Sequence, residues 1–253
     1  MIVGLLIGKE HSVSTPGKNV RPVLGRPMAE YGMMAAAHTP ELTRLFTSTD
    51  SEQIAEIGRR YGATHIPRPP ELAAPDALTE DALTHAFDAM ERETKQTIDI
   101  VALFFANAPT ARPQAVSQGI QTLQDDVSLD SAVTVTRYNM WSPARARMID
   151  AQGLLAPFVD RSQLNPGKEV TSIRGAEGDC YFADLAVQVL RRRCFTEMDQ
   201  GGLPFRWWGR RIKPIVSDYG FDIDEPWQIP VIELWLLEHG FSTTKTPYGD
   251  GAR

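Results

Sequence analysis

The chain begins with MIVGLLIGKEHSVSTPGKN (residues 1–19), an apolar run followed by a polar loop. The apolar run, residues 1–7, has the composition of a fully buried strand of a parallel sheet. The loop carries Gly17, Lys18 and Asn19. Glycine lets the backbone approach a ligand, lysine can neutralise phosphate charge, and asparagine offers both a donor and an acceptor. A solvated turn is the alternative interpretation, because Pro and Gly are also ordinary turn residues.

Beyond this strand, apolar or β-branched runs alternate with segments of helical period. This pattern indicates an α/β fold of three layers, in which helices cover both faces of a mostly parallel central sheet. Helices are predicted over residues 27–38, 79–90 (with Thr79 as the N-cap), 113–123 and 231–238 (with Leu234, Trp235 and Leu237 as the apolar candidates). A further helix, capped by Asp50 or Ser51, would run through Ile54, Ile57 and Tyr61 and stop at Gly62. Strands are predicted over residues 45–48, 64–66, 98–105 (too apolar for an edge of the sheet) and 131–136, and order returns at 180–191 and 210–216. We expect one domain, residues 1–253.

Residues 137–178 interrupt this alternation and are called the excursion below. They contain Trp141, Pro143, Pro166 and several glycines, and they show no sustained repeat. A segment of this length without regular period inside a compact domain is commonly functional. The excursion is therefore a candidate oligomerisation arm or lid.

Composition excludes several classes of protein. The formal net charge of -6 argues against a sequence-independent nucleic-acid surface, which needs an excess of Lys and Arg. No apolar run reaches the roughly 18 to 20 residues that span a bilayer, so we expect a cytoplasmic protein with neither nucleic-acid nor membrane partners. Cys180 and Cys194 lack metal-ligand spacing and are predicted to be reduced thiols.

Two common nucleotide-binding motifs are absent. Lys18 is followed by Asn19 rather than by Ser or Thr, and no Gly-x-Gly-x-x-Gly follows the first strand. A Walker-type ATPase and a dinucleotide dehydrogenase are therefore disfavoured.

A pair of carboxylates near the end of the chain is a candidate metal site. Asp222 and Asp224 lie on one face if their segment is extended, and two carboxylates can share a hard cation such as Mg²⁺. Asp224 also stands where a helix N-cap would stand, ahead of Glu225 and Pro226. Both interpretations remain open for this pair. Arg68, after the third strand, can donate to a base or a carboxylate.

Five segments together resemble the CMP-sugar synthetases, the cytidylyltransferases that activate sialic-acid-like and Kdo-like acidic sugars. They cover most of the chain in the family's order and each lies near the end of a predicted strand. These segments are residues 16–27 (PGKNVRPVLGRP), 48–57 (STDSEQIAEI), 68–73 (RPPELA), 106–109 (ANAP) and 222–224 (DID).

The resemblance implies a Rossmann-related, GT-A-like nucleotidyltransferase fold. It also implies CTP as co-substrate, Mg²⁺ as cofactor and release of pyrophosphate. Members of the family commonly form dimers through an excursion from the sheet, and residues 137–178 are the counterpart here. We therefore expect a homodimer.

The resemblance also implies roles for individual residues. Lys18, Asp222 and Asp224 would be catalytic, and the two aspartates would hold the metal. Asn107 lies in the turn that faces the acceptor sugar, and the acid's carboxylate has four candidate partners, since arginine suits planar carboxylates: Arg112, Arg174, Arg161 and Lys168. The nucleotide-binding candidates are Lys9 (in the place of the family's arginine), Ser12, Gly17, Lys18, Asn19 and Arg68.

We therefore predict a CTP-dependent cytidylyltransferase that acts on a nonulosonic or other 3-deoxy-2-ulosonic acid. Asp222 or a metal-bound water would take the proton of the attacking hydroxyl. Two alternatives follow from departures from the family's pattern. The turn at Asn107 stands in the place of the family's Gln-Pro-Thr-Ser-Pro. This altered turn would suit a phosphonate or sugar-phosphate acceptor. Val13 and the glycine-poor first loop would suit a nucleotide-binding module without catalysis.

Overall fold

The computed structural model describes residues 1–11, 17–160, 164 and 171–249. The strands in this part of the chain are β1 (Ile2–Ile7), β2 (Pro22–Val23), β3 (Arg26–Pro27), β4 (Arg44–Thr49), β5 (Thr64–Pro67), β6 (Ile100–Phe105), β7 (Ser131–Arg137), β8 (Arg147–Ile149), β9 (Leu155–Pro157), β10 (Tyr181–Arg191) and β11 (Ile212–Val216). The α-helices are α1 (Met28–Ala37), α2 (Glu52–Arg60), α3 (Thr79–Thr94), α4 (Pro113–Asp125), α5 (Arg193–Thr196) and α6 (Gln228–Glu238).

A seven-stranded sheet in the order β11-β7-β10-β6-β1-β4-β5 forms the centre of the fold. β10 runs antiparallel to its neighbours β6 and β7, whereas the remaining neighbours pair in parallel. The predictions of a mostly parallel sheet and of a central strand near residues 98–105 are therefore confirmed. Because the parallel strands point the same way, their carboxyl ends meet at one edge, where open α/β sheets bind ligands.

The core lies on both faces of this sheet, as β6 illustrates. Successive side chains of a strand point to opposite faces. Ile100, Ala102 and Phe104 pack into the cluster formed with α1, α2 and α4. Val101 and Leu103 pack into the cluster formed with α3 and α5. The three-layer arrangement expected from the alternating pattern is thus present.

The terminal helix buries a face that its sequence did not identify. Leu234 and Leu237 were expected on the apolar face of α6 together with Trp235, but both leucines are exposed. Ile232 and Leu236 are buried instead, in a small cluster with Trp235, α1 and the β2–β3 hairpin. Apolar residues occur on all sides of this helix, so the periodicity of its sequence alone does not identify the buried face.

The start of α3 also differs from the expectation. Thr79 was predicted as its N-cap, but Thr79 is the first helical residue and Leu78 precedes it without a side-chain cap. The helix continues to Thr94, beyond the predicted residue 90, and ends where Lys95 adopts a left-handed conformation. Its last turn is mainly polar, so apolar periodicity gave no sign of it.

The described part of the excursion contains short 3₁₀ turns and the β8–β9 hairpin. Cys180 and Cys194 are free thiols, as expected. Among the described residues, no helix combines the length and the apolar character needed to cross a membrane.

Candidate active site

A cavity of about 270 Å³ opens at the carboxyl ends of β1, β5 and β6. It gathers side chains that are far apart in sequence, because the loops after parallel strands meet at this edge. The predicted site residues that line it are Lys9, Lys18, Asn19, Arg68, Asn107 and Asp222. Gly17 lies beside this group, and Ser12 is outside the described residues.

Lys18 is held by the loop that precedes β2. Gly17 adopts a left-handed conformation with φ of 68°, which glycine accepts without strain, and a short 3₁₀ turn follows at Lys18–Val20. The Lys18 side chain is largely buried, and its Nζ donates a hydrogen bond to Oδ1 of Asp224 at 2.6 Å. The turn thus delivers a positive charge to the cavity and to the carboxylate beside it.

Gly8 and Asn19 fix the first loop against the sheet. A Cβ on Gly8 would lie 2.6 Å from Cβ of Ala106, so only glycine fits at this close approach. Nδ2 of Asn19 donates to the carbonyl of Lys9 at 2.8 Å, while Nζ of Lys9 donates to the carbonyl of Ala74 at 3.3 Å. Hydrogen bonds therefore hold the loop at Lys9 and Asn19, two of its predicted nucleotide contacts.

Arg68 presents a buried guanidinium to the cavity. Its side chain is only partly satisfied: Nη2 donates to the carbonyl of Ser48 at 2.9 Å, but Nε finds no acceptor among the described residues. Burial lowers the pKa of Arg68 below its usual range. A buried, incompletely paired guanidinium favours an anionic or carbonyl-bearing ligand that completes its hydrogen bonds.

Asn107 and Asp222 connect the turn after β6 to the loop after β11. Nδ2 of Asn107 donates to Oδ2 of Asp222 at 3.1 Å and to the carbonyl of Ile223 at 3.2 Å. The Ile223 amide donates back to the Asn107 carbonyl at 2.8 Å. This clamp explains how an irregular segment holds Asp222 in the cavity.

Electrostatics set Asp222 apart from an ordinary surface carboxylate. Burial and the neighbouring Asp224 carboxylate raise the pKa of Asp222 to about 6, and Lys18 and Asn107 oppose this rise only in part. Two close carboxylates repel each other, so a cation between them would be stabilising.

The donor set fits Mg²⁺ bound jointly by protein and ligand. Mg²⁺ usually takes one or two carboxylates and completes its shell with water and substrate phosphates. Asp222 and Asp224 supply such a pair. Among the described residues, no cluster of three or more His, Cys, Asp or Glu side chains could hold a metal by itself.

One of the two interpretations left open for the carboxylate pair is wrong. The segment that carries Asp222 and Asp224 has no regular secondary structure. Asp224 does not cap α6, which begins at Gln228. Instead, Oε1 of Gln228 accepts hydrogen bonds from the amides of Asp224 and Glu225, each at 2.7 Å.

The structure does not bring the other predicted acceptor-binding residues into this cavity. Arg112 lines a separate pocket of about 80 Å³, lies 3.6 Å from Asp218 and packs over the Trp235 ring. Arg174 is exposed in the excursion. Arg161 and Lys168 lie outside the described residues.

Sequence reasoning missed a second cavity of about 400 Å³ beside the first, called the aromatic cavity below. It shares Asp222 with the first cavity, and Asp224 also lines it. Its aromatic lining consists of Tyr138, Trp141, Phe182, Tyr219, Phe221 and Trp227. Tyr219, Phe221 and Trp227 lie within a few positions of the two aspartates in the sequence. This local density of aromatic residues was the one sequence feature that could have indicated the cavity.

The chain matches the Cytidylyltransferase family over residues 11–152. A relative from Legionella pneumophila, CMP-N,N'-diacetyllegionaminic acid synthase, is 27% identical over 77% of this chain and 82% of the relative. N-acylneuraminate cytidylyltransferase A of Danio rerio is 24% identical over 95% of this chain. The chain spans only 52% of the Danio rerio protein and 38% of the N-acylneuraminate cytidylyltransferase of Escherichia coli.

Two solved structures share the fold. CMP:2-keto-3-deoxy-manno-octonic acid synthetase, complexed with CTP, superposes with a TM-score of 0.63 at 15% identity and covers 94% of this chain and 98% of its own. The 4-diphosphocytidyl-2C-methyl-D-erythritol synthase of Anaerococcus prevotii gives a TM-score of 0.61 at 12% identity, covering 93% and 98%. The prediction of an α/β nucleotidyltransferase fold is confirmed.

Proposed function

The chain belongs to the cytidylyltransferase family, and we propose that it transfers CMP from CTP to an acidic sugar and releases pyrophosphate. The acceptor class is a nonulosonic or other 3-deoxy-2-ulosonic acid. One observation carries the proposal: Lys18, Arg68 and Asp222 line a single cavity at the carboxyl edge of the sheet. This cavity therefore combines two basic side chains, which can neutralise a triphosphate, with a carboxylate, which can bind a metal ion or accept a proton.

CTP would lie in the 270 Å³ cavity. Lys18 and Lys9 would neutralise phosphate charge, and Asn19 would bond the ribose or base region. The buried guanidinium of Arg68 would donate to the cytosine. Gly17 would keep the backbone of the loop free to approach the phosphates.

In the reaction, a hydroxyl oxygen of the sugar acid attacks the α-phosphorus of CTP. A new P–O bond forms, the bond to the bridging oxygen of the β-phosphate breaks, and pyrophosphate leaves. The hydroxyl proton would pass to a carboxylate oxygen of Asp222, which Asn107 holds in position. Positioning and charge neutralisation lower most of the barrier in such transfers.

Asp222 and Asp224 would hold Mg²⁺ together with the phosphates of CTP. The ion, when bound, would supply charge neutralisation on the triphosphate. Lys18 would leave Asp224 and turn to the phosphates, since a lysine side chain is flexible enough to reorient.

The excursion would form the interface of a homodimer. The proposed dimer interface is supported by a group of large apolar side chains of the excursion that are exposed in the single chain: Met148, Ile149, Leu154, Leu155, Phe158 and Ile173. Exposed apolar groups at this density are typical of a protein contact. Light scattering should give twice the chain mass, and Leu155→Asp should shift it to the monomer. A monomeric parent protein would contradict the dimer.

Pyrophosphate release tests the proposed activity. The protein is incubated with CTP, Mg²⁺ and a panel of 3-deoxy-2-ulosonic acids, sugar phosphates and phosphonates. We expect release only with the ulosonic acids. Release with none of the compounds, from protein shown to be folded by circular dichroism, would contradict the proposal, and release with sugar phosphates alone would reassign the acceptor.

A further inference from the structure

Asp184 is a buried acid that the proposed mechanism does not use. It lies on β10, its side chain is only 1% exposed, and it lines neither the 270 Å³ cavity nor the aromatic cavity. A carboxyl group buried this deeply has to be hydrogen-bonded, because burying an unpaired polar group is costly. Its hydrogen-bond partners therefore show which parts of the fold Asp184 holds together.

One carboxyl oxygen of Asp184 holds an irregular turn within β10. The register between β7 and β10 shifts in this part of the strand, and Leu185 has a φ of 55°, a left-handed conformation that residues other than glycine rarely adopt. Oδ1 of Asp184 accepts the amide of Ala186 at 3.0 Å and also the hydroxyl of Thr134 on β7. These bonds stabilise the turn, which places Leu185 in the wall of the 270 Å³ cavity.

The other carboxyl oxygen holds the loop that follows β11, residues 217–224, called the carboxylate loop below. Oγ of Ser217, the first residue of this loop, donates a hydrogen bond to Oδ2 of Asp184. Gly220 packs directly against the same oxygen, since a Cβ at Gly220 would lie 3.0 Å from Oδ2 and 2.6 Å from Oγ1 of Thr110. The carboxylate loop carries the two aspartates of the candidate metal site, so Asp184 supports that site from inside the fold.

The carboxylate loop depends on such side-chain contacts, because it has no regular secondary structure of its own. Asn107 clamps it at Ile223 by the hydrogen bonds given above. The Tyr138 hydroxyl donates to the carbonyl of Gly220 at 3.3 Å. Asp184 differs from these two residues in its place in the fold, since it bonds the carboxylate loop on one side and the turn in β10 on the other.

We propose that Asp184 is a positioning residue for the transfer and sets the place of the metal-binding aspartates relative to the nucleotide cavity. This inference rests on the proposed function. Asp184 acts through Ser217 on the carboxylate loop and through the Ala186 amide on the cavity wall. Metal ligands bind tightly when the protein holds them in place beforehand, and loss of a supporting partner costs about 10- to 100-fold in metal affinity or activity.

The surroundings of Asp184 make asparagine a conservative substitute. Burial raises the pKa of the Asp184 carboxyl, although neighbouring hydroxyl and amide donors oppose this rise. Asparagine has the same shape, and its amide nitrogen can donate to Oγ of Ser217, whose hydroxyl can turn to the carbonyl of Val135 at 3.4 Å. Alanine removes both sets of bonds. A positioning role therefore predicts that asparagine restores what alanine loses.

Ser217→Ala separates the two sides of this arrangement, because it releases the carboxylate loop and leaves the turn in β10 bonded. It also keeps the proposal testable if Asp184→Ala does not fold, since Ser217 is only half-buried. Mn²⁺ is the probe, and its affinity in the presence of CTP is measured by EPR, with the Mn²⁺ bound by CTP alone subtracted. This measurement needs no turnover, and kcat is measured separately with an acid that the parent protein accepts.

We expect Ser217→Ala and Asp184→Ala each to weaken Mn²⁺ binding about fivefold or more and to lower kcat about tenfold or more. Asp184→Asn should stay within about twofold of the parent protein. The double variant should be no weaker than Asp184→Ala alone, because both substitutions act along one path. Asp130→Asn, which perturbs a buried carboxylate at the opposite end of the sheet, is the control and should leave both quantities unchanged.

The outcomes separate the two proposals. Unchanged Mn²⁺ affinity in Ser217→Ala shown to be folded, or an equal loss in Asp130→Asn, would overturn the positioning role while the proposed function stands. Asp184→Asn as weak as Asp184→Ala would overturn it as well. Turnover of no acid by the parent protein would overturn the proposed function, whereas the Mn²⁺ titrations would still decide whether Asp184 positions the metal site.

Discussion

Nζ of Lys18 lies 2.6 Å from Oδ1 of Asp224, although the two residues are 206 positions apart in the sequence. The contact joins the first loop to the loop that follows the last strand of the sheet. Two segments that sequence patterns singled out separately, one for phosphate and one for metal, thus meet at one site. The roles of the Lys18 and Asp224 charges can each be tested by substitution.

Lys18→Ala should abolish most of the activity without unfolding the protein. Removal of one preorganised charge from such a site lowers kcat by about 10²–10³-fold. Partly exposed ion pairs contribute about 1 kcal/mol or less, and the Asp224 side chain is 58% exposed. The control is Lys213→Ala, an exposed lysine of β11. If Lys18→Ala kept more than a tenth of kcat/KM, Lys18 would not be a phosphate ligand.

Asp222→Asn should lower turnover at least 100-fold and yet stabilise the nucleotide-free protein. The folded-state pKa of about 6 exceeds the ordinary 3.8, so the protonated form favours folding and stability falls as pH rises through this window. Asparagine does not ionise, so the variant avoids this loss of folding stability, which amounts to about 1–3 kcal/mol by pH 7.5.

Urea unfolding at pH 4 and pH 7.5 measures this effect. The stability gain of Asp222→Asn over the parent should grow with pH, whereas Glu225→Gln, in the same loop and exposed, should show no such growth. A variant that is less stable than the parent at pH 7.5 would give Asp222 a structural role instead.

Arg68→Lys should raise the KM for CTP about tenfold and change kcat less. Lysine retains the charge but loses the planar fork of donors, of which Nη2 bonds the Ser48 carbonyl. Calorimetric titration with CTP should show the same loss in affinity. Arg92→Lys on the exposed side of α3 serves as the control. Unchanged CTP affinity in Arg68→Lys would remove Arg68 from the nucleotide site.

Asp130→Asn should reduce stability and leave catalysis unaffected. Oδ2 of Asp130 accepts the amides of Arg210 and Arg211, each at 2.8 Å, and Oδ1 accepts Nε of Arg193 at 2.5 Å. Asp130 precedes β7, at the end of the sheet opposite the candidate site. We expect a loss of about 1–2 kcal/mol at pH 7.

The pH dependence of this loss follows from the pKa of Asp130. Burial raises that pKa, but the two amides and Arg193 outweigh burial and hold it below its usual range. The stabilisation is therefore present above about pH 4 and is lost as pH falls through the folded-state pKa. Parent and Asp130→Asn should differ in urea midpoint at pH 7, and the difference should shrink as pH falls below 4. A constant difference, or one equally present in Asp199→Asn, would contradict this assignment.

Much of the fold could be predicted because local patterns and global topology agree. The apolar runs of β1 and β6 lie inside the sheet, and Gly62 follows α2 in a left-handed conformation, where that helix was expected to stop. The buried face of α6 could not be predicted, because its docking against α1 and the β2–β3 hairpin decides among several apolar residues.

The candidate site shows the same division. Lys18, Arg68 and Asn107 each follow a predicted strand, so their convergence follows from the shared direction of the strands. Arg112 also follows a strand, but its loop carries it to Asp218 and the Trp235 ring. The aromatic cavity depends on side chains from the excursion, β10 and the segment before α6, a set that no local pattern defines.

The most direct test of the proposed transfer is to follow the phosphorus atoms of CTP by ³¹P NMR in the presence of Mg²⁺ and an acylated 3-deoxy-2-ulosonic acid. We expect the phosphodiester signal of a CMP-linked sugar and the signal of pyrophosphate to grow in equal amounts, and neither to grow with Asp222→Asn. A triphosphate that stays intact with every acid, or that is hydrolysed without a linked product, would contradict the assignment.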